Sequence, residues 1–222
     1  MAYAALEDSI RLLDGAPPSE VARLSRRVRH VALAVDRDGR VAATMFLRRG
    51  ISGDPCLDTH GLELAESGWR LLGGGGGTGQ DYLLAARPQL TTLGAAAVEI
   101  GRGGVVRHAD RLMPGESGWV RWVEVRAAAE VASLQVNERS VPVLNHGMAV
   151  VVWGTERLPH IAALGANGSP VGPIQFHDSP GYWVFWHRAL SQRRPGPRTP
   201  ATARRVSPSL SLDATHDTKL LA

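Results

Sequence analysis

Apolar and polar residues alternate with a period of two over much of this 222-residue chain. Residues 31–35 and 41–47 carry apolar side chains at every second position, and the polar segment 36–39 separates them. This period is typical of strands that bury one face. The pattern therefore predicts a β-hairpin over residues 29–48, with Gly39 adopting the positive φ of the turn.

The same alternation recurs between residues 95 and 172, in short segments separated by turn residues such as Asn137, Gly147 and Gly168. Short strands at a spacing of roughly 8–12 residues are typical of antiparallel sandwiches. The predicted strand positions are Ala96/Val98/Ile100, Val123/Val125, Leu134/Val136, Val141/Val143, the run Met148–Trp153 and Ile161–Leu164.

A helix pair is predicted before these strands. Residues 4–14 place Leu6, Ile10 and Leu13 on one face, and glycine and proline follow as a stop signal. Residues 19–28 read as a second helix, with serine at the N-cap position and Val21, Leu24 and Val28 facing inward. The predicted fold class is therefore mainly β (α+β overall), with an antiparallel sandwich-like C-terminal half after a short helix pair and β-hairpins.

The glycine-rich segment 73–79 is interpreted as a flexible loop, because it has no side chains to bury. Residues 49–61 also read as a loop, whereas 62–66 and 69–72 suit a second hairpin. Gly74, Gly76 and Gly79 satisfy the dinucleotide pattern G-x-G-x-x-G, but consecutive glycines match it automatically and Pro88 would break the required helix. No cofactor is predicted.

Three regions follow from these patterns. Residues 1–93 form an α+β N-terminal region and 94–175 a sandwich-like region. Residues 176–222 combine an aromatic segment with a tail rich in proline and arginine, which has the composition of a disordered segment.

The net charge of +4 is confined to the end of the chain. Residues 1–190 hold 19 Arg, no Lys and 19 acidic residues, so the whole excess lies in residues 191–222. The 24 Arg against one Lys are typical of a GC-rich genome of the actinobacterial kind and are not taken as a sign of function. The single Cys56 excludes an internal disulfide framework. With no apolar run of about 20 residues and acids near the N-terminus, a cytoplasmic protein that does not contact membranes is expected.

Two groups of arginines are the candidate nucleic-acid contacts. Their charge favours phosphate binding without base selectivity, because guanidinium groups attract any phosphate backbone. The candidates are Arg23, Arg26, Arg27 and Arg29 near the N-terminus and Arg193, Arg194, Arg198, Arg204 and Arg205 in the tail.

Candidate chemistry is sparse. No H-E-x-x-H, G-x-S-x-G or phosphate-loop motif occurs, so neither catalytic residues nor metal ligands are assigned. Residues worth testing for convergence in a pocket are Asp54, Cys56, His60, His108 and Asp110.

The favoured function is therefore a non-enzymatic, soluble binding or regulatory protein with a protein or small-molecule partner. Two alternatives stay open: a DNA- or RNA-associated transcriptional regulator that uses the arginine groups, and an enzyme whose site is assembled between the two halves.

Overall fold

β-Strands dominate the residues that the computed structural model describes, which are 3–78, 85–107 and 118–177. This confirms the prediction of a mainly β fold. The strands are β1 (His30–Asp38), β2 (Val41–Arg49), β3 (Pro55–Ala65), β4 (Gly68–Thr78), β5 (Ala97–Val106), β6 (Trp119–Ala127), β7 (Ser133–Val136), β8 (Arg139–Pro142), β9 (Met148–Trp153), β10 (Ile161–Leu164), β11 (Pro170–Gly172) and β12 (Ile174–Gln175); the helices are α1 (Ala5–Leu13) and α2 (Leu90–Leu93).

These strands form three four-stranded sheets. The N-terminal sheet has the order β1-β2-β3-β4, the central sheet β12-β5-β6-β9 and the outer sheet β11-β10-β7-β8. The pairings are antiparallel except that of β12 with β5, which is parallel. The antiparallel prediction is thus confirmed with one short exception.

The central sheet is buried on both faces, and strand β9 shows why. Met148, Val150 and Val152 pack with the N-terminal sheet, whereas the alternate residues Val151 and Trp153 pack with the outer sheet. A strand between two layers needs apolar side chains at every position, because successive side chains point to opposite faces. The continuous apolar run in the sequence has this physical origin.

Helix α1 and the first hairpin form where the sequence predicts them. The helix lies on the N-terminal sheet, where Ser9 Oγ is 2.7 Å from Thr44 Oγ1 and Leu12 is buried. Leu6, expected on the buried face, is 38% exposed. Gly39 takes a φ of 58° in the turn between β1 and β2, as that turn requires.

The prediction of a second helix over residues 19–28 is wrong. Residues 19–28 have no helical structure, and Val28, expected to face inward, is exposed. The backbone N–H of Ser19 donates to the carbonyl of Ala32 in β1 (2.8 Å), and Leu24 packs against the core. Short isolated helices are marginal, and here contacts with the sheet decide the conformation of the segment.

The loop prediction for residues 49–61 is confirmed only for residues 50–54, and the one for residues 73–79 is wrong within the described residues. Strand β3 begins at Pro55, and residues 73–77 belong to β4, where Gly77 lies opposite Leu57 and Gly73 opposite Gly61. The hairpin predicted around Gly68 is confirmed, but its strands continue beyond the expected ends. A glycine run can therefore pair as a strand when a neighbouring strand supplies the hydrogen bonds.

All six strand segments predicted between residues 95 and 172 are present, as β5 to β10. Asn137, Gly147 and Gly168 take positive φ values in the turns, as such turn residues do. All described residues fall in one compact unit that ends at His177. Of the predicted aromatic segment and tail, residues 176–222, only Phe176 and His177 belong to the described residues. None of the helices found in the described ranges has the length and apolarity to traverse a lipid bilayer.

Candidate functional site

A pocket of about 200 Å³ lies between the N-terminal and central sheets. Strands β3 and β4 supply one wall, and β5 and β6 supply the other. Its lining combines bare glycine backbone with a few large side chains. The lining residues are Leu57, Gly75, Gly76, Gly77, Ile100, Gly101, Arg102, Gly103, Trp122 and Glu124.

The wall from the central sheet is shaped by two pairs of residues across β5 and β6. Gly103 lies opposite Trp122, and Gly101 lies opposite Glu124. A Cβ at Gly103 would overlap the indole ring, and one at Gly101 would lie 2.5 Å from Glu124 Oε2. Both positions are therefore glycine because the partner side chain occupies the space above them. Gly61 of β3, in the N-terminal sheet, contacts the same indole, since a Cβ at this position would lie 2.9 Å from Trp122 Cζ3.

Two of the glycines of β4 have the opposite role. A Cβ at Gly75 or Gly77 would meet no atom of the described residues within 4 Å. Gly75 pairs with Thr59 and Gly77 with Leu57, which places their missing side chains on the pocket face of the strand. The pocket is thus the space that side chains at these two positions would fill.

Glu124 is the acidic group of the pocket. Its carboxylate accepts a hydrogen bond from Trp122 Nε1 (3.2 Å), and no cationic side chain of the described residues pairs with it. Burial raises the pKa of Glu124, and the negative charges of Asp58 and Glu99 act in the same direction, while the hydrogen bond from Trp122 opposes the shift. A carboxylate in this position favours a cation that would restore its ordinary pKa.

Arg102, the cation at the pocket, is already paired. Its Nε and Nη2 donate to the two oxygens of Glu99 at 3.0 and 2.6 Å, and Glu99 also accepts the backbone N–H of His177 at 3.1 Å. This bidentate pair balances its own charge. The negative charge of Glu124 therefore remains uncompensated within the described part of the chain.

The cysteine and histidine that the sequence singles out lie on the opposite face of the N-terminal sheet. There Asp58 pairs with Arg48 and accepts a hydrogen bond from Cys56 Sγ (3.3 Å), and the Tyr3 hydroxyl contacts His60 Nε2. Burial raises the pKa of Cys56, which favours the thiol over the nucleophilic thiolate. Burial also lowers the pKa of His60.

The remaining members of that set do not join this cluster. Asp54 lies in the exposed loop before β3, where it accepts a hydrogen bond from Ser52. His108 and Asp110 lie outside the described residues. Among residues 3–78, 85–107 and 118–177, no three His, Cys, Asp or Glu side chains are grouped as a metal site requires.

The arginines proposed to contact nucleic acid are partly described. Arg23, Arg26, Arg27 and Arg29 are exposed on the irregular segment before β1. No ion pair between one of them and a carboxylate is present in the described ranges. The tail group, Arg193, Arg194, Arg198, Arg204 and Arg205, lies outside those ranges.

Sequence reasoning missed the pocket because it assigned the glycine run to a loop and because no motif marks Trp122 or Glu124. The usable signal was the spacing of Gly101 and Gly103 against Trp122 and Glu124, two pairs that have the same i, i+2 spacing on adjacent predicted strands. Recognising it requires the register of β5 on β6, which the sequence alone does not give. Comparisons of the chain with protein-family models, curated proteins and solved structures found no match.

Proposed function

We propose that this protein is a non-enzymatic binding protein whose glycine-walled pocket takes a small cationic group, with Glu124 as the counter-ion. The observation that carries the proposal is a shielded carboxylate that faces open space and has no cationic partner among the described residues. Burying an ionised carboxylate is costly unless a partner compensates it. Because such a carboxylate lowers the stability of the fold, we expect that its role is to bind a ligand.

The size of the pocket limits that ligand. About 200 Å³ is below the roughly 300–1,000 Å³ of pockets that enclose drug-sized molecules. A single ammonium or guanidinium group with a short stem suits this volume. The glycine backbone on one wall allows such a group to approach closely, and the indole of Trp122 holds one side of the carboxylate in place.

Replacing Glu124 by Gln is expected to weaken methylguanidinium binding about 10- to 100-fold, because a charge-assisted hydrogen bond becomes a neutral one. The measurement is a titration of the ¹H–¹⁵N indole signals, in which the Trp122 signal, assigned with Trp122→Phe, reports on the bond to Glu124. Neutral methylurea serves as the control probe. The exposed Glu138 is the matched position, and Glu138→Gln should bind as the unmodified chain does.

The pH dependence gives a second readout of the same substitution. Because the pKa of Glu124 is raised in the folded state, its ionisation destabilises the fold as the pH rises through that pKa, and Glu124→Gln should be at least as stable as the unmodified chain at neutral pH. Methylguanidinium affinity should fall on acidification, starting at a higher pH than an ordinary glutamate would give. Equal binding by Glu124→Gln, or an unmoved Trp122 signal, would contradict the proposal.

A second candidate function is the binding of nucleic-acid phosphates by Arg23, Arg26, Arg27 and Arg29. What supports it is that these four side chains are exposed and have no carboxylate partner in the described ranges. A backbone hydrogen bond from Arg49 N to Arg29 O (2.9 Å) brings a further exposed arginine to the same edge. Because the segment is not helical, recognition by a helix-turn-helix is not part of this candidate.

For four such phosphate contacts, the logarithm of the duplex-DNA affinity should fall with the logarithm of salt concentration with a slope of about −3.6. Arg26→Ala should reduce the magnitude of the slope by about 0.9, whereas Arg157→Ala, an exposed arginine between β9 and β10, should leave it unchanged. The measurement is a mobility-shift series at several salt concentrations.

A third variant, in which glutamine replaces the tail arginines, separates the two groups. Binding that disappears in that variant and persists in Arg26→Ala would assign the affinity to the tail and refute the role of residues 23–29.

A further inference from the structure

The pocket opens between two strand edges. β4 is the last strand of its sheet, and within the described residues its glycine segment pairs on one side only, with β3. β5 pairs with β6 over its whole length, but β12 covers its other side only at Ala97 and Val98. Both strands therefore have edge backbone groups without a strand partner in the described chain, next to the pocket.

These two edges touch at one end and separate at the other. Arg70 Nη2 donates to the carbonyl of Arg107 at 2.9 Å, and a Cβ at Gly73 would lie 3.0 Å from Val105 Cγ1. At Gly75 and Gly77, farther along β4, an added Cβ would meet no described atom within 4 Å. The gap widens toward the pocket, and the exposed segment 74–77 contributes backbone alone to that part of the edge.

An exposed strand edge beside one pocket of side-chain size is the arrangement used in peptide recognition by strand addition. In that mode, hydrogen bonds between main chains provide affinity, and a pocket for one side chain provides specificity. The carboxylate of Glu124 selects the side chain. Its Oε1 accepts from Trp122, and its Oε2 lies above Gly101, where only backbone is present.

We infer that the pocket receives the arginine side chain of an extended peptide, whose main chain pairs with the edge of β4 over Gly74–Gly77. This inference rests on the proposed function, since it names the carrier of the cationic group. The planar guanidinium presents donors that match a carboxylate, and its stem suits a narrow pocket walled by glycine. Residues on either side of the arginine point away from the pocket, because side chains alternate along a strand.

The test uses the full chain and three capped peptides of alternating threonine and valine. The first has a central arginine, the second has neutral citrulline at that position, and the third keeps the arginine but carries N-methyl groups on alternate backbone nitrogens. Calorimetry compares each peptide with methylguanidinium. The arginine peptide should bind at least tenfold more tightly than methylguanidinium, and the other two should lose at least tenfold.

Gly77→Val puts a side chain into the pocket from a position where an added Cβ meets no described atom within 4 Å, and it should abolish binding of both the peptide and methylguanidinium. The fold of this variant is checked by its circular dichroism and melting temperature. Methylguanidinium binding without any gain for the arginine peptide, or full binding by the N-methylated peptide, would overturn strand addition and leave the proposed function intact. Failure of methylguanidinium and the arginine peptide to bind the unmodified chain would overturn both.

Discussion

Asp36→Ala is expected to lower the free energy of unfolding by about 3–5 kcal/mol, because it removes the buried carboxylate that pairs with a partly buried guanidinium. Asp36 receives hydrogen bonds from Arg139 Nε (3.1 Å) and Nη2 (2.9 Å) and from the backbone N–H groups of Arg37 and Val152, both at 2.8 Å. This one carboxylate thereby connects β1, β8 and β9, which belong to three different sheets. Urea unfolding monitored by circular dichroism measures the loss.

Asp38 provides the matched control for Asp36. It lies two residues away on the same strand and approaches the same guanidinium at 3.7 Å, but its side chain is 41% exposed. Exposed pairs of this kind contribute about 0–1 kcal/mol, so Asp38→Ala should fall within that range. Replacing both members of the buried pair, as Asp36→Ala with Arg139→Met, should recover part of the lost stability. Equal effects of Asp36→Ala and Asp38→Ala would contradict the role assigned to the buried pair.

Trp122→Ala is expected to cost about 3–5 kcal/mol of unfolding free energy, as removal of a large buried aromatic side chain does. Trp122 is 2% exposed and packs between Gly103 of its own sheet and Gly61 of the N-terminal sheet. Neither glycine has a side chain that could move into the vacated space, so the cavity would remain open. Thermal and urea unfolding of the full chain measure the effect.

Trp69→Ala is the corresponding control, since this half-buried tryptophan contacts Arg37 at 5.2 Å from the guanidinium carbon to the ring centroid. An exposed contact between a cation and an aromatic ring contributes about 0.5–1 kcal/mol, and a correspondingly small loss is expected. A further comparison is Gly75→Ala, which should not reduce stability, because its Cβ enters open space. A small effect of Trp122→Ala would contradict the expectation that the cavity stays open.

The strands were predictable where burial repeats every second residue. The hairpin of β1 and β2 and most segments from β5 to β10 follow from this period, because successive side chains of a strand point to opposite faces. Strand β9 follows instead from its continuous apolar run, since both of its faces are buried. Residues 19–28 show where a local pattern of apolar residues does not predict the conformation. Three of their apolar residues have helical spacing, but the N–H of Ser19 bonds to β1, and contacts of this range are not visible in a local pattern.

The candidate site was less predictable than the fold. Glu124 lies between two valines in β6, and nothing near it in the sequence marks it as a ligand group. Asp36 is similar: within the turn sequence Asp-Arg-Asp-Gly it looks like an exposed turn residue, yet it is buried against Arg139, 103 positions later. The sequence shows the charge of both carboxylates. Whether each one has a cationic partner depends on which strands pair and in which register, and the sequence does not give that.

What the amino-acid sequence determines by itself is the period of burial, the turns at Gly39, Gly68 and Gly168, and the neutral body with its charge at the C-terminal end. Only the tertiary structure decides the structural role of each glycine. At position 103 a glycine makes room for the indole of Trp122, whereas at position 75 a glycine leaves the pocket open. The physical reason is that a glycine leaves space above its Cα atom in either case. The neighbouring residues of the tertiary structure decide whether that space is filled.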